Sequence, residues 1–166
     1  MKLKFILLLT IVTFSPAWSF AGEHNETKAL SKVTNEAYKK NCGTCHFAYQ
    51  PELLPVRSWL KIINNPGGHP GGDLSVDNKT KAEIEKYLNQ NSAEKSQSKI
   101  SRKIIASIGN DVPSRISEVP YIRDKHRKIK QEVFSRKSIG SRGNCITCHK
   151  TAERGDYDDD NVTIPK

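Results

Sequence analysis

The chain of 166 residues carries 27 Lys and Arg against 18 Asp and Glu, and 36% of its residues are hydrophobic. This length allows one domain or two small ones, and the modest apolar content leaves little material for a core built from protein alone. The basic excess favours acidic partners and is concentrated in residues 95–142, where 13 basic side chains stand against 4 acidic ones.

Residues 1–21 have the layout of a secretory signal peptide, with Lys2 and Lys4, an apolar run and then small residues. We expect cleavage after Ala21, or else after Ser19, and export to the periplasm. No nucleic acid partner is expected for an exported protein. No later apolar run approaches the ~20 residues that span a bilayer, so we expect no transmembrane segment in the mature chain.

The spacing of apolar residues predicts helices and no strand. Predicted helices cover residues 28–46, 54–64, 78–91, 100–108, 118–134 and 143–152. The polar stretch at 89–98 lacks large apolar side chains and is the expected boundary between two halves. The prediction is therefore a mainly α chain with two small helical domains, residues 22–92 and 93–166.

All four cysteines lie in two copies of one hexapeptide, NCGTCH at 41–46 and NCITCH at 144–149. Each copy contains Cys-x-x-Cys-His, the attachment signature of c-type haem. Two thiols bond to the porphyrin vinyl groups, and the following imidazole binds the iron from the proximal side. We predict two covalent haem c groups. The predicted attachment and proximal residues are Cys42, Cys45, His46, Cys145, Cys148 and His149.

Three other interpretations explain this pattern less well. Paired zinc knuckles usually lie about 15 to 20 residues apart, whereas almost a hundred residues separate these two copies. A thioredoxin-like site needs a β-α-β pattern, and two disulfides would leave the repeated histidine unexplained. Two haems would also supply the apolar bodies around which short helices can pack, so we expect the apoprotein to be largely unfolded.

The sixth ligand of each iron decides what a c-type haem can do, and in c-type cytochromes this ligand is commonly Met or His. The only methionine is Met1, inside the predicted signal peptide, so histidine is expected on both irons. His126 lies on the apolar stripe of the predicted helix 118–134. His69 lies in a loop rich in Gly and Pro, NNPGGHPGGD, which lets the backbone approach a porphyrin closely.

We assign His69 and His126 as the distal ligands. The third candidate, His24, lies near the mature N terminus, where chain ends are poorly ordered, and it is set aside. Pairing His46 with His69, and His149 with His126, is the economical choice, and a crossed arrangement stays open.

Three segments of the chain resemble the bacterial dihaem cytochrome c family: NCGTCHFAYQPELLPVRSW, YIRDKH and NCITCHKTAERGDYDDDNVTIP. The resemblance implies two bis-histidine haems, with His46 and His149 proximal and His69 and His126 distal. It also implies an electron carrier that works beside a monohaem oxygen-binding c-type cytochrome and a membrane b-type cytochrome.

These observations predict a periplasmic dihaem c-type cytochrome that carries electrons between redox partners and is not an enzyme. Two imidazoles per iron leave no vacant position for a substrate. The competing hypothesis is a haem enzyme or gas-binding sensor in which one distal position is open or displaceable.

Overall fold

The computed structural model describes residues 29–69, 72 and 75–166, so the predicted signal peptide and His24 lie outside the described residues. The prediction of a mainly α chain is confirmed. In the described part of the chain, no helix is both long and apolar enough to cross a membrane. The α-helices there are α1 Glu36–Cys42, α2 Val56–Asn64, α3 Asn78–Asn91, α4 Lys99–Ile108, α5 Pro120–Lys125 and α6 Gln131–Phe134. The 3₁₀ turns are Pro51–Leu53, Pro66–Gly68, Ala93–Lys95, Ile116–Glu118, Cys145–Thr147, Ala152–Arg154 and Asp159–Asn161.

Helices α2, α3 and α4 begin and end close to their predicted limits, and two of them have a clear local start signal. Asp77 caps α3 by accepting from the amides of Lys79 and Thr80, and Ser98 caps α4 by accepting from the amide of Ser101. Such caps satisfy amides that have no partner within the helix.

The prediction of a helix over 28–46 was wrong in extent. The side chain of Asn35 accepts from the Tyr38 amide, so α1 starts only after Asn35, and Gly43 follows its last residue. Residues 29–34 are not helical, and Leu30 donates its amide to the Gly155 carbonyl at 2.9 Å. Gly155 has a φ of +80°, and a Cβ there would collide with the Leu30 carbonyl oxygen, so glycine allows this close approach.

The predicted helix over 118–134 is broken into α5 and α6. At the break, Nδ1 of His126 donates to the Ile122 carbonyl at 2.8 Å, and the His126 amide approaches the same carbonyl at 3.2 Å. A side chain that bonds the local backbone competes with continuation of a helix. Lys130 is extended and precedes α6.

No α-helix forms over 143–152, where one was predicted. The 3₁₀ turn at 145–147 is followed by a single i to i+4 bond, from the His149 amide to the Cys145 carbonyl at 2.8 Å. An isolated antiparallel bridge then pairs His149 with Val162. Short helices are marginal in water, and β-branched residues such as Ile146 and Thr147 lower helix propensity further.

One hydrophobic core draws side chains from both sides of the predicted boundary near residue 92. Helix α2 packs on α3, and α4 packs on α5. Several hydrogen bonds cross the boundary, among them one from the Ala93 amide to the Leu54 carbonyl at 3.0 Å and one from Ser101 Oγ to the Glu52 carbonyl at 3.0 Å. Described residues on both sides of residue 92 share this core. The division into two domains at residue 92 stays a prediction. The buried members of the core include Tyr38, Leu54, Trp59, Leu88, Ile104, Ile108 and Val119.

Candidate functional site

The first Cys-x-x-Cys-His motif lies where α1 ends. Cys42 is the last residue of the helix and packs against the hydrophobic core, while Cys45 is exposed in the following turn. Burial raises the pKa of the Cys42 thiol to about 11. Next in the chain, His46 has Nδ1 at 2.8 Å from the Phe47 carbonyl oxygen. A carbonyl can only accept, so Nδ1 carries the hydrogen and Nε2 keeps its lone pair for a metal.

His69 lies close to His46 in the fold. It follows the 3₁₀ turn Pro66–Gly68, and its ring centroid lies 6.1 Å from that of His46, with 36° between the ring planes. Burial, followed by the charges of His46 and Arg115, lowers the pKa of His69. We call Cys42, Cys45, His46 and His69 the first centre.

The second motif lies on the 3₁₀ turn at 145–147, and its histidine faces His126 at the end of α5. The ring centroids of His126 and His149 are 6.0 Å apart, and the ring planes are 69° apart. Burial raises the pKa of Cys145 to about 11. We call Cys145, Cys148, His149 and His126 the second centre.

The two proximal rings differ in their hydrogen bonding. Whereas Nδ1 of His46 has a carbonyl partner, Nδ1 of His149 is buried and has no hydrogen-bond partner among the described residues. Burial and the charge of His126 lower the pKa of His149, and Asp159 and Asp156 oppose this shift.

Both pairs of rings fit an iron between them. A ring nitrogen binds a metal at about 2 Å and lies about 1 Å from its ring centroid, so rings on opposite sides of one iron have centroids about 6 Å apart. The observed separations are 6.1 and 6.0 Å. This arrangement favours the economical pairing over the crossed one. All four cysteines lie within the described residues and none is paired in a disulfide, so each is available to bond to a porphyrin vinyl group.

The second centre borders a cavity of about 490 Å³ with a basic rim. Three arginines and one acidic residue line it together with His126: Arg123, Arg127, Arg142 and Asp124, which pairs with Arg127 at 2.9 Å. The guanidinium of Arg142 lies over the Phe134 ring at 4.3 Å from the centroid, and the Phe134 ring centroid is 6.3 Å from that of His126. These side chains offer an apolar wall and cationic edges to a flat anionic ligand such as a haem.

Sequence reasoning missed the residues that join the two centres. The Tyr49 ring stacks on His46 with a centroid separation of 4.5 Å and 29° between planes, and its hydroxyl donates to the carbonyl of Gly143, two residues before Cys145. Burial raises the pKa of Tyr49, so the hydroxyl stays a donor at neutral pH. The only sequence signal is its position three residues after His46.

Gln50 makes the second connection. Its side chain is fully buried; Nε2 donates to the Ala152 carbonyl at 2.7 Å, and Oε1 accepts from the Tyr157 hydroxyl at 2.7 Å. The Tyr157 ring centroid lies 5.5 Å from that of His149. Consecutive residues of the first half therefore contact the second centre on both sides of its attachment motif.

A helical chain with two Cys-x-x-Cys-His turns, each facing a further histidine, has the features of a c-type cytochrome with two haem groups. The sequence model of the dihaem cytochrome c family matches residues 38–157. The chain belongs to this family, which implies two haem c cofactors and a role in electron transport.

Solved structures agree with this assignment. The diheme cytochrome c from Rhodobacter sphaeroides is 34% identical, with a TM-score of 0.66, over 76% of this chain and 99% of that one. The diheme cytochrome type c from Shewanella baltica is 32% identical, with a TM-score of 0.64, over 79% of this chain and 93% of that one. No curated protein sequence matches the chain.

Proposed function

We propose that the protein is a periplasmic electron carrier, and not an enzyme, in which each iron is bound between two histidines. The observation that carries this proposal is the approach of two imidazole rings to about 6 Å at each centre, 6.1 Å at the first and 6.0 Å at the second. The haem supplies one-electron redox chemistry when bound. The proposed ligand pairs are His46 with His69, and His149 with His126.

The side chains hold the ligand set fixed during this chemistry. The backbone carbonyls that accept from Nδ1 of His46 and His126 fix the tautomer and the orientation of each ring. A closed ligand set changes little with oxidation state, which suits transfer of electrons without substrate binding. Export is supported by the layout of residues 1–21, and N-terminal sequencing of the periplasmic holoprotein should find Gly22 first.

The visible spectrum of the dithionite-reduced holoprotein, with and without carbon monoxide, tests the ligand set. We expect low-spin bands that carbon monoxide does not move. In the variants His69→Ala and His126→Ala one iron opens, so carbon monoxide should shift about half of the haem absorbance. His24→Ala is the matched control, since His24 is not assigned to an iron. A shift in the unmodified protein would instead support the haem enzyme or gas-binding sensor with a displaceable ligand.

We also propose that the carrier exchanges electrons with acidic redox proteins through the basic side of the second centre. Family resemblance suggests a monohaem c-type cytochrome and a membrane b-type cytochrome as partners. Around His126, several cationic side chains are exposed and form no ion pair with another described residue. They include Arg123, Lys128 and Lys130.

Charge steering predicts a dependence on ionic strength. Reduced protein should react faster with anionic hexacyanoferrate at low salt than at high salt, and the reverse should hold for cationic hexaammineruthenium. Neutralising Arg123, Lys128 and Lys130 to Gln should weaken both trends. Neutralising Lys79 and Lys86 on α3 provides a control of exposed charge elsewhere. Rates insensitive to salt would exclude steering by this face.

A further inference from the structure

We propose that Tyr49 and Gln50 are positioning residues that lock the two haem centres into one rigid unit and fix the plane of the His46 imidazole. This inference rests on the proposed function, because it concerns how two closed irons are held relative to each other. Tyr49 forms a hydrogen bond with Gly143, and Gln50 forms hydrogen bonds with Ala152 and Tyr157, all beside the second centre. We call these three hydrogen bonds the bridge.

Tyr49 is held at both ends. Its backbone carbonyl accepts from the hydroxyl of the buried Tyr38 at 2.8 Å, and its own hydroxyl donates to the Gly143 carbonyl. Between these anchors the Tyr49 ring lies against His46. The His46 ring cannot rotate about its long axis without disturbing this stack, so the stack fixes its orientation.

Gln50 anchors the other flank of the second motif. A buried amide costs free energy unless its donors and acceptor are satisfied, and here both partners come from residues more than a hundred positions away in sequence. Replacing Gln50 by an apolar residue would leave the Ala152 carbonyl and the Tyr157 hydroxyl without these bonds. The amide therefore specifies one docking geometry, in a way that apolar packing alone would not.

The consequence concerns the exchange of one electron between the two irons. One iron is oxidised and the other is reduced by the same electron, no bond or proton is transferred, and Tyr49 itself stays reduced. The rate of such an exchange depends on the separation and relative orientation of the two centres. Tyr49 and Gln50 hold that separation and orientation, and neither binds an iron.

The test compares Tyr49→Phe, Tyr157→Phe and the control Tyr87→Phe in the holoprotein. Tyr49→Phe keeps the ring against His46 and removes only the bond to Gly143; Tyr157→Phe removes only the bond to Gln50. The Tyr87 hydroxyl accepts from the Thr34 amide at 3.3 Å. Tyr87→Phe keeps the ring that packs against Tyr38 and removes none of the hydrogen bonds made by Tyr49 or Gln50, so it should leave the centres unchanged.

Two readouts separate positioning from general stability. Pulse reduction of the half-reduced protein measures electron exchange between the irons, and we expect slower exchange in each bridge variant than in Tyr87→Phe. Electron paramagnetic resonance of the oxidised protein reports the imidazole planes. Tyr49→Phe should shift one low-spin signal, and Tyr49→Leu, which also removes the stack, should shift it further.

The inference is overturned if Tyr49→Phe and Tyr157→Phe match Tyr87→Phe in both readouts. Haem content and insensitivity to carbon monoxide are measured on every sample. Carbon monoxide binding by the unmodified protein would contradict the proposed function itself. If the irons bind no carbon monoxide and the variants exchange electrons at the unmodified rate, only the proposed role of Tyr49 and Gln50 is contradicted.

Discussion

The two centres use the same Cys-x-x-Cys-His spacing in different local structures. At the first centre the motif ends an α-helix, and the facing histidine follows 23 residues later in a loop. At the second the motif forms a 3₁₀ turn, and the facing histidine precedes it by 23 residues, at the end of α5. The spacing of Cys, Cys and His is therefore what the chemistry requires, since neither the helix nor the chain order is shared.

The centres also differ in how they are tied to the protein. Cys42 packs against the hydrophobic core together with Tyr49. Among the described residues, the second motif contributes no member to that core. Its flanking residues Gly143 and Ala152 bond to Tyr49 and Gln50, and His149 pairs with Val162. We conclude that the first centre depends on the core and that the second depends on the bridge.

We expect the largest effect of this difference between the centres when both cysteines of one motif are replaced. Both Cys42→Ala/Cys45→Ala and Cys145→Ala/Cys148→Ala should lower haem content from two per chain to one. Loss of the first haem should also remove more helical signal, because α1 then loses its covalent anchor beside the core. Pyridine haemochrome assays and circular dichroism measure both effects. Equal loss of helix in the two variants would contradict the contrast between the centres.

Sequence patterns predicted the parts of this protein that are set locally. Helix α3 covers the predicted residues 78–91, and each Cys-x-x-Cys-His motif faces a second histidine. The spacing of the two ring pairs is a tertiary property, and the sequence left a crossed pairing open.

The failures have a different physical origin. Helix propensity could not reveal that His126 bonds the Ile122 carbonyl, a contact that depends on the side-chain rotamer. Nor could it reveal the contacts of Tyr49 and Gln50, whose partners lie 94 and 102 residues away. No local pattern encodes such contacts.

A smaller effect should distinguish the reduction potentials of the two haems. A hydrogen bond to Nδ1 makes a ligating imidazole a stronger donor and favours the ferric state. His46 has such a bond at the first haem; at the second haem His126 has one, whereas His149 has none among the described residues. Arg123 and Arg127 beside the second centre also favour the less positive ferrous state, and Asp124, which pairs with Arg127, opposes them only in part. We therefore expect the second haem to have the higher potential.

Spectroelectrochemical titration of charge variants tests this order. Arg123→Gln/Arg127→Gln should lower the higher potential by about 20 to 40 mV, a fraction of the 59 mV that corresponds to a tenfold change for one electron. Lys79→Gln/Lys86→Gln, which neutralises exposed charges on α3, is the control. If the lower potential moved instead, the assignment of the two haems would be reversed.

The smallest effect concerns the start of α1. Asn35 accepts from the Tyr38 amide at 2.7 Å and donates to Glu83 at 2.9 Å, so Asn35→Ala removes a cap and should lower the free energy of unfolding by about 1 kcal/mol. Ser98→Ala removes the corresponding cap of α4, and there the hydroxyl is buried, so the loss should be at least as large. Thermal unfolding of the holoprotein measures both.

Haem content is the decisive companion measurement for these cap variants. The thiols of the first motif lie at the opposite end of α1 from Asn35, and covalent attachment would hold that end in place after the cap is lost. Asn35→Ala should therefore keep two haems and both potentials while unfolding at a lower temperature. If it lost the first haem, attachment would require a preformed α1, and the first centre would depend on local helix formation as well as on the core.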